Sequence, residues 1–231
     1  MVVGVSIPAL AGLAAADYLV EHIDVDPIGH VSAHGVPSLA PFSEGRPRPH
    51  TRLYGAPGSD LTVLVGELFV PVGPSEAYAD GILAWAEEAG IEEVTLLAGV
   101  PYPHAPEEHA VYYVATDEYR ERRLSDTDVQ ALGGGFLDGA HGELLSRTAE
   151  GSAPPTGALV TPSHPPGPDL EAALLFVGAL EGIYGLTVDA GELERLSADV
   201  RRHYEEMAKR LEAMTEGSAT MEGRDLPEDR A

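Results

Sequence analysis

Residues 61–100 read LTVLVGELFVPVGPSEAYADGILAWAEEAGIEEVTLLAGV. Within the strand-like run Asp60–Gly66, the opening residues LTVLVG are continuous and apolar, the pattern of a central strand covered on both faces. Ser75 stands where a helix cap is expected, the helix runs to about Glu88, and Gly90 follows as its stop. Glu93–Gly99 is a second buried strand. Two apolar strands, each ending in glycine, flank one helix, which makes a βαβ unit. That unit places the chain in the α/β class, with a layered sheet flanked by helices.

Toward the N-terminus, Val2–Pro8 (VVGVSIP) reads as a buried strand, Leu10–Ile23 as a helix and Asp24–Ser32 as a further strand. A loop rich in Pro, Gly and His covers His34–Pro49, and Thr51–Gly55 is strand-like. Toward the C-terminus, Ala110–Thr116 reads as a strand and Arg120–Gly135 as irregular, ending in a Gly triplet. Gly139–Ala149 is helical and Thr156–Thr161 extended. Asp169 can cap an apolar helix over Leu170–Tyr184. The last helix spans about Ala190–Met214. Leu193, Leu196, Val200, Tyr204, Met207, Leu211 and Met214 form one stripe on it, the other positions being mostly charged. Residues 1–214 are therefore expected to form one α/β domain with a C-terminal amphipathic helix, and 215–231 a disordered acidic tail.

The 231 residues carry 38 Asp and Glu against 14 Lys and Arg, a formal net charge of −24. Lys209 is the only lysine, and the acids are spread along the chain. Such a fold repels itself in dilute buffer, and salt screens that repulsion within roughly 3 Å at 1 M. The composition reads as that of a halophile's cytoplasmic protein. Nucleic acid is excluded as a partner because no basic patch exists to meet phosphates. With no cysteine, disulfides, thiolate metal sites and Cys nucleophiles are excluded. Met1–Ala16 is apolar but lacks a positive leading region and is interrupted by Pro8 and Gly12, so it does not read as a signal peptide. The apolar run Ala172–Leu180 is too short to span a membrane, and no membrane partner is expected.

Motifs that carry chemistry are sparse. There is no nucleophile elbow, Walker loop or H-E-x-x-H helix, and SIPALAGLAA replaces a dinucleotide-binding loop after the first strand. Gly133–Gly135 precedes a helix without a basic neighbour, which favours a structural loop over an anion site. His30 and His34 fall on a strand end and a loop. His104, Glu107, Glu108 and His109 lie in the loop after the strand ending at Gly99, where open α/β sheets gather their active sites. They read either as a metal or acid–base group or as solvated loop residues, and the second reading is preferred. Glu67 and the Ser163–His164 pair also follow strands. If Glu67, His104 and His164 converged, a small hydrolase or phosphorylase site would result. Adjacent residues point apart in a strand, so Ser163 and His164 do not form a dyad by themselves. No cofactor and no resident metal is expected.

Four segments together resemble the proteasome-assembly-chaperone family, in its archaeal and actinobacterial single-domain branch. They are VSIPALAGLAAADYLVEHI, the 61–100 stretch, GGGFLDGAHGELL, and residues 161–200 beginning TPSHPPGPDL. The resemblance covers about residues 1–214 and implies an α/β sandwich of the phosphorylase/hydrolase-like type without established catalytic residues. It also implies self-association and binding to proteasome subunits, in some members through a C-terminal hydrophobic-Tyr-any tripeptide. This sequence departs at its end, Asp229-Arg230-Ala231, and at Pro8-Ala9, where the family often has Pro-Gly. The expectation is a non-enzymatic, chaperone-like or scaffold protein that forms homo-oligomers. Self-association is assigned to Leu174, Phe176, Val177, Tyr204, Met207 and Leu211 on the last two helices.

Overall fold

The computed structural model describes residues 1–222 except 56, 57, 59, 106, 107, 165 and 166, and describes 205, 208 and 211–222 by their backbone alone. The chain opens with β1 (Val2–Ser6), α1 (Ala11–His22) and β2 (Asp26–His30). A small hairpin, β3 (Phe42–Ser43) and β4 (Arg46–Pro47), precedes β5 (Thr51–Gly55) and β6 (Thr62–Phe69). Next come α2 (Ser75–Glu88), β7 (Val94–Val100) and β8 (Tyr112–Ala115). Then α3 (Asp117–Tyr119) runs into a π-helical turn over Arg120–Leu124. β9 (Gln130–Ala131), α4 (Gly139–Ala149), β10 (Thr156–Pro162), α5 (Leu170–Tyr184) and α6 (Gly191–Glu222) complete it.

One mixed sheet holds eight of these strands in the order β2-β5-β6-β1-β7-β10-β8-β9. Its centre, β6-β1-β7-β10, is parallel. The parallel strands are the continuous apolar runs, as burial on both faces requires. Antiparallel β5 and β8 flank them. Alternation along each strand divides the core. Val3, Val5, Leu96, Ala98, Ala158 and Val160 face α2 and α4. Val2, Leu97 and Leu159 face α1 and α5. Helices thus cover both faces of a mixed sheet, the α/β layered class read from residues 61–100.

Two close approaches fix α1 on the sheet. A Cβ on Gly12 would lie 2.1 Å from the Leu97 carbonyl oxygen, and one on Gly4 would lie 2.3 Å from the Gly12 carbonyl oxygen. Before α1, Ala9 (φ 66°) and Leu10 (φ 54°) both take the left-handed conformation. Ala9 therefore adopts the backbone that a glycine after Pro8 would adopt without steric cost.

Several local expectations change. Ser75 is the first residue of α2 rather than its cap, and its hydroxyl donates to the Pro71 carbonyl. β2 is an edge strand paired antiparallel with β5, because its sequence DPIGH is largely exposed and cannot occupy the centre. Arg120–Gly135 is more ordered than its pattern suggests: the π turn buries Leu124, and β9 pairs with β8. α6 continues past Met214 to Glu222. Residues 223–231 of the expected tail lie outside the described residues.

The assignment of Phe176 and Val177 to a subunit interface is corrected. Both have 0% exposure and pack with Leu97, Leu159 and Leu180 inside the protomer. Each contributes roughly 2 kcal/mol there by leaving water, so neither is free to face a partner. Leu174 is half-buried beside that cluster. On α6 the stripe changes character along its length: Leu193 is buried, while Leu196, Tyr204 and Met207 are exposed. The side chain of Leu211 lies outside the described residues. No helix among the described residues is long and apolar enough to cross a membrane.

Candidate functional site

β7 and β10 are parallel neighbours, in register from Val94–Thr156 to Val100–Pro162. They release the chain at the same edge of the sheet, so the loops 101–111 and 163–169 start side by side. Ser163 N–H donates to the Val100 carbonyl (3.0 Å) and ties the two exits together. Ser163 turns inward and is buried, and His164 turns outward. This alternation is why the pair does not form a dyad.

Asp169 organises the second loop. Its Oδ1 accepts from Ala172 N–H (3.0 Å), capping α5 as the sequence predicts. Its Oδ2 accepts from the His164 backbone N–H (2.7 Å) and bonds to His164 Nδ1 (2.9 Å). Its own N–H donates to the Ala9 carbonyl (2.8 Å), so the left-handed loop before α1 also supports this corner.

Three histidines meet here. The rings of His104 and His109 lie 5.2 Å apart between centroids, and the His164 ring is 5.1 Å from each. One ring nitrogen from each falls within 4.8 Å of the other two. His104 Nδ1 is 2.9 Å from the Tyr102 carbonyl. That carbonyl can only accept, so Nδ1 of His104 carries the proton and its Nε2 keeps a lone pair. The Asp169 carboxylate makes the same assignment for His164. His109 Nε2 is buried with no hydrogen-bond partner among the described residues. Burial holds the His109 imidazole below the usual histidine value; Glu171 and Asp169 oppose this, and His164 and His104 reinforce it. His104 and His109 are half-buried loop residues whose rings meet, rather than fully solvated ones. Glu108 does not join them: its carboxylate accepts from Ala105 N–H (2.8 Å). Glu107 lies outside the described residues. His30 and His34 are exposed elsewhere.

Glu67 does not complete the expected hydrolytic trio. It extends from β6 into a fork formed by Arg48, with Nη2–Oε1 at 2.7 Å and a second bond from Nη1 to Oε2. Arg52 adds a bond at 3.2 Å. A carboxylate held by two guanidinium groups is neither a free base nor a nucleophile. Sequence patterning did not reveal this clamp, because Arg48 sits in an irregular loop.

Beside the histidines lies an apolar cleft of about 660 Å³, lined by Val100, Tyr102, Val114, Leu132, Phe136 and Leu145 among others. Phe136 follows the Gly triplet and is fully exposed, at 101%. Tyr102 joins the two features: it lines the cleft and its carbonyl holds His104.

The PAC2 family profile matches residues 1–208. The chain belongs to the PAC2 family. Solved structures agree with the fold. Pyrococcus furiosus PbaA, described as an archaeal homolog of proteasome-assembly chaperone, is 26% identical, with 95% of this chain and 93% of that one covered and a TM-score of 0.75. Pyrococcus furiosus PbaB, described as an archaeal proteasome activator, is 20% identical over 91% and 92%, with a TM-score of 0.75. A Mycobacterium tuberculosis proteasome-assembly chaperone homologue is 18% identical over 89% and 94%, with a TM-score of 0.60. Among curated proteins, none matches this PAC2 chain.

Proposed function

We propose that this PAC2-family protein is a non-enzymatic, chaperone-like binding protein that associates with itself and assists proteasome assembly. One observation carries the reading. At the strand-end edge of the PAC2 fold, an apolar cleft adjoins the fully exposed Phe136. An exposed aromatic beside a concave apolar surface is the anatomy of a binding hot spot. Family membership and the likeness to PbaA support the proteasome as partner. The engagement of Glu67 by two arginines speaks against the hydrolase or phosphorylase alternative. Self-association is assigned to the exposed part of the α6 stripe, Leu196, Tyr204 and Met207.

The net charge of −24 fits work in concentrated salt, where screened electrostatics leave shape and apolar contact to hold partners. Affinity capture from the native host in high salt tests the partner. Recovery of proteasome subunits by the wild type and their loss with Phe136→Asp is the expected outcome. Recovery of the bait alone sinks the proteasome assignment. Light scattering in molar salt tests self-association, which Met207→Glu should weaken. A wild-type monomer there counts against the α6 interface.

A further inference from the structure

We propose that His104, His109 and His164 bind one divalent transition-metal ion of the zinc class, joining the β7–β8 loop to the β10–α5 loop. Three neutral imidazoles suit zinc, cobalt or nickel far better than calcium or magnesium, which prefer oxygen. The chain has no cysteine, so nitrogen is its softest charged-metal donor apart from methionine sulfur. Three observations converge on the site. One ring nitrogen from each histidine lies within 4.8 Å of the others. Hydrogen bonds at Nδ1 of His104 and His164 leave their Nε2 lone pairs available. His109 Nε2, buried and unpartnered, supplies the third donor.

The surroundings match metal sites in kind. A ligating histidine commonly donates its other ring N–H to a carboxylate or a backbone carbonyl. His164 has the carboxylate of Asp169 and His104 has the carbonyl of Tyr102. Glu171, on the first turn of α5, adds negative potential at His109. Without an ion, three imidazoles are packed ring to ring and one buried nitrogen has no partner among the described residues, a cost of desolvation with no return. With an ion, metal–nitrogen distances of about 2.0–2.1 Å draw the rings inward by side-chain rotation. Three protein ligands leave a fourth position to water.

The role of the ion is to hold the two strand-end loops as one surface beside the cleft. Tyr102 is the link, since the residue that lines the cleft also orients His104. This inference does not depend on which partner the cleft receives.

The test uses the full chain, stripped with a chelator and titrated with Zn²⁺ by calorimetry and with Co²⁺ by visible absorption, in one high-salt buffer. His109→Ala and His164→Ala are compared with the double variant His30→Ala/His34→Ala. His164 is the safer substitution for folding, because its side chain is 56% exposed. Melting of the metal-free proteins shows that each variant folds. The expected result is one ion per wild-type chain and a Zn²⁺-dependent rise in Tm. Affinity should fall at least about 100-fold in His164→Ala, more than the loss of an outer-shell partner typically costs. The double variant should bind like wild type. The proposal is overturned if wild type shows no saturable binding, or if His164→Ala binds as tightly as wild type.

Discussion

Two clusters of polar side chains stand at the same edge of one sheet, and they differ in how their valences are used. In the carboxylate clamp, Glu67 receives Arg48 through both oxygens and Arg52 as well. In the histidine cluster, partners occupy the Nδ1 atoms of two rings, and His109 Nε2 has none among the described residues. The clamp occupies both carboxylate oxygens of Glu67 within the protomer, while Arg52 Nε is buried without a hydrogen-bond partner among the described residues. The histidines are oriented from behind and open in front, which is how a binding site differs from a structural ion pair.

The largest expected effect is the cost of an unpartnered buried imidazole standing alone. His141 on α4 is such a case, 3% exposed and without a partner at Nε2 among the described residues. Burial pushes it down to about 4, opposed only by Asp138. Its folded value lies below the unfolded value of about 6.5, so the unfolded state binds the proton first as pH falls. This group does not affect stability above about pH 6.5. It removes on the order of 3 kcal/mol as pH drops from there toward 4. Denaturant melts of wild type and His141→Gln across that range should diverge accordingly. Parallel pH profiles would place the cost elsewhere.

A second, smaller effect sharpens the contrast from the histidine side. Asp169→Asn keeps a side-chain oxygen to cap α5 but removes the charge behind His164. Zn²⁺ affinity should drop roughly 10–100-fold, and metal-free stability should fall by about 1–3 kcal/mol, because an amide NH2 cannot accept from the His164 backbone N–H. A variant that binds Zn²⁺ like wild type would remove Asp169 from the site.

From the clamp side, Glu67→Gln removes the counter-charge of half-buried Arg48 and leaves Arg52 with Asp17 alone, at 3.7 Å. Stability should fall by about 1–2 kcal/mol, less than for a fully buried pair because water reaches all three groups. Zn²⁺ affinity should not change. A shift in both readouts would mean that the two clusters are coupled. The smallest effect belongs to the loop that supports Asp169. Ala9→Gly relieves a left-handed alanine and should raise stability by about 1 kcal/mol, read as a higher Tm. A lower Tm would show that the unfolded chain gains more freedom than the loop loses strain.

Much of the architecture was legible locally. Asp169 and an apolar run mark α5, and its range Leu170–Tyr184 matches, closed by Gly185 in the left-handed region. The central strands β6, β7 and β10 announce themselves as unbroken apolar runs. Ser75 misled, because a serine with a carbonyl close behind it donates to that carbonyl instead of capping. Phe176 and Val177 misled differently. An apolar residue on a helix that is apolar nearly all round does not say whether its cover is the chain's own sheet or another subunit.

The site was half legible. His104 and His109 could be assigned to one strand-end loop by position alone. His164 could be joined to His104 only conditionally, together with Glu67, since nothing local reports that β10 is the neighbour of β7. Glu67 sat at an equally suggestive strand end, and only the fold brings Arg48 and Arg52 onto it.

By itself, the sequence determined the α/β class, the helix and strand runs, the acidic surface and the absence of thiol chemistry. These follow from periodicity and composition, which act over a few residues or over the whole chain. Tertiary structure decided which strand ends share an edge, which apolar faces are already covered and which nitrogens are left without partners. Those depend on pairing between segments far apart in the chain. Hydrogen bonds and burial favour that pairing collectively, and no single stretch of sequence encodes it.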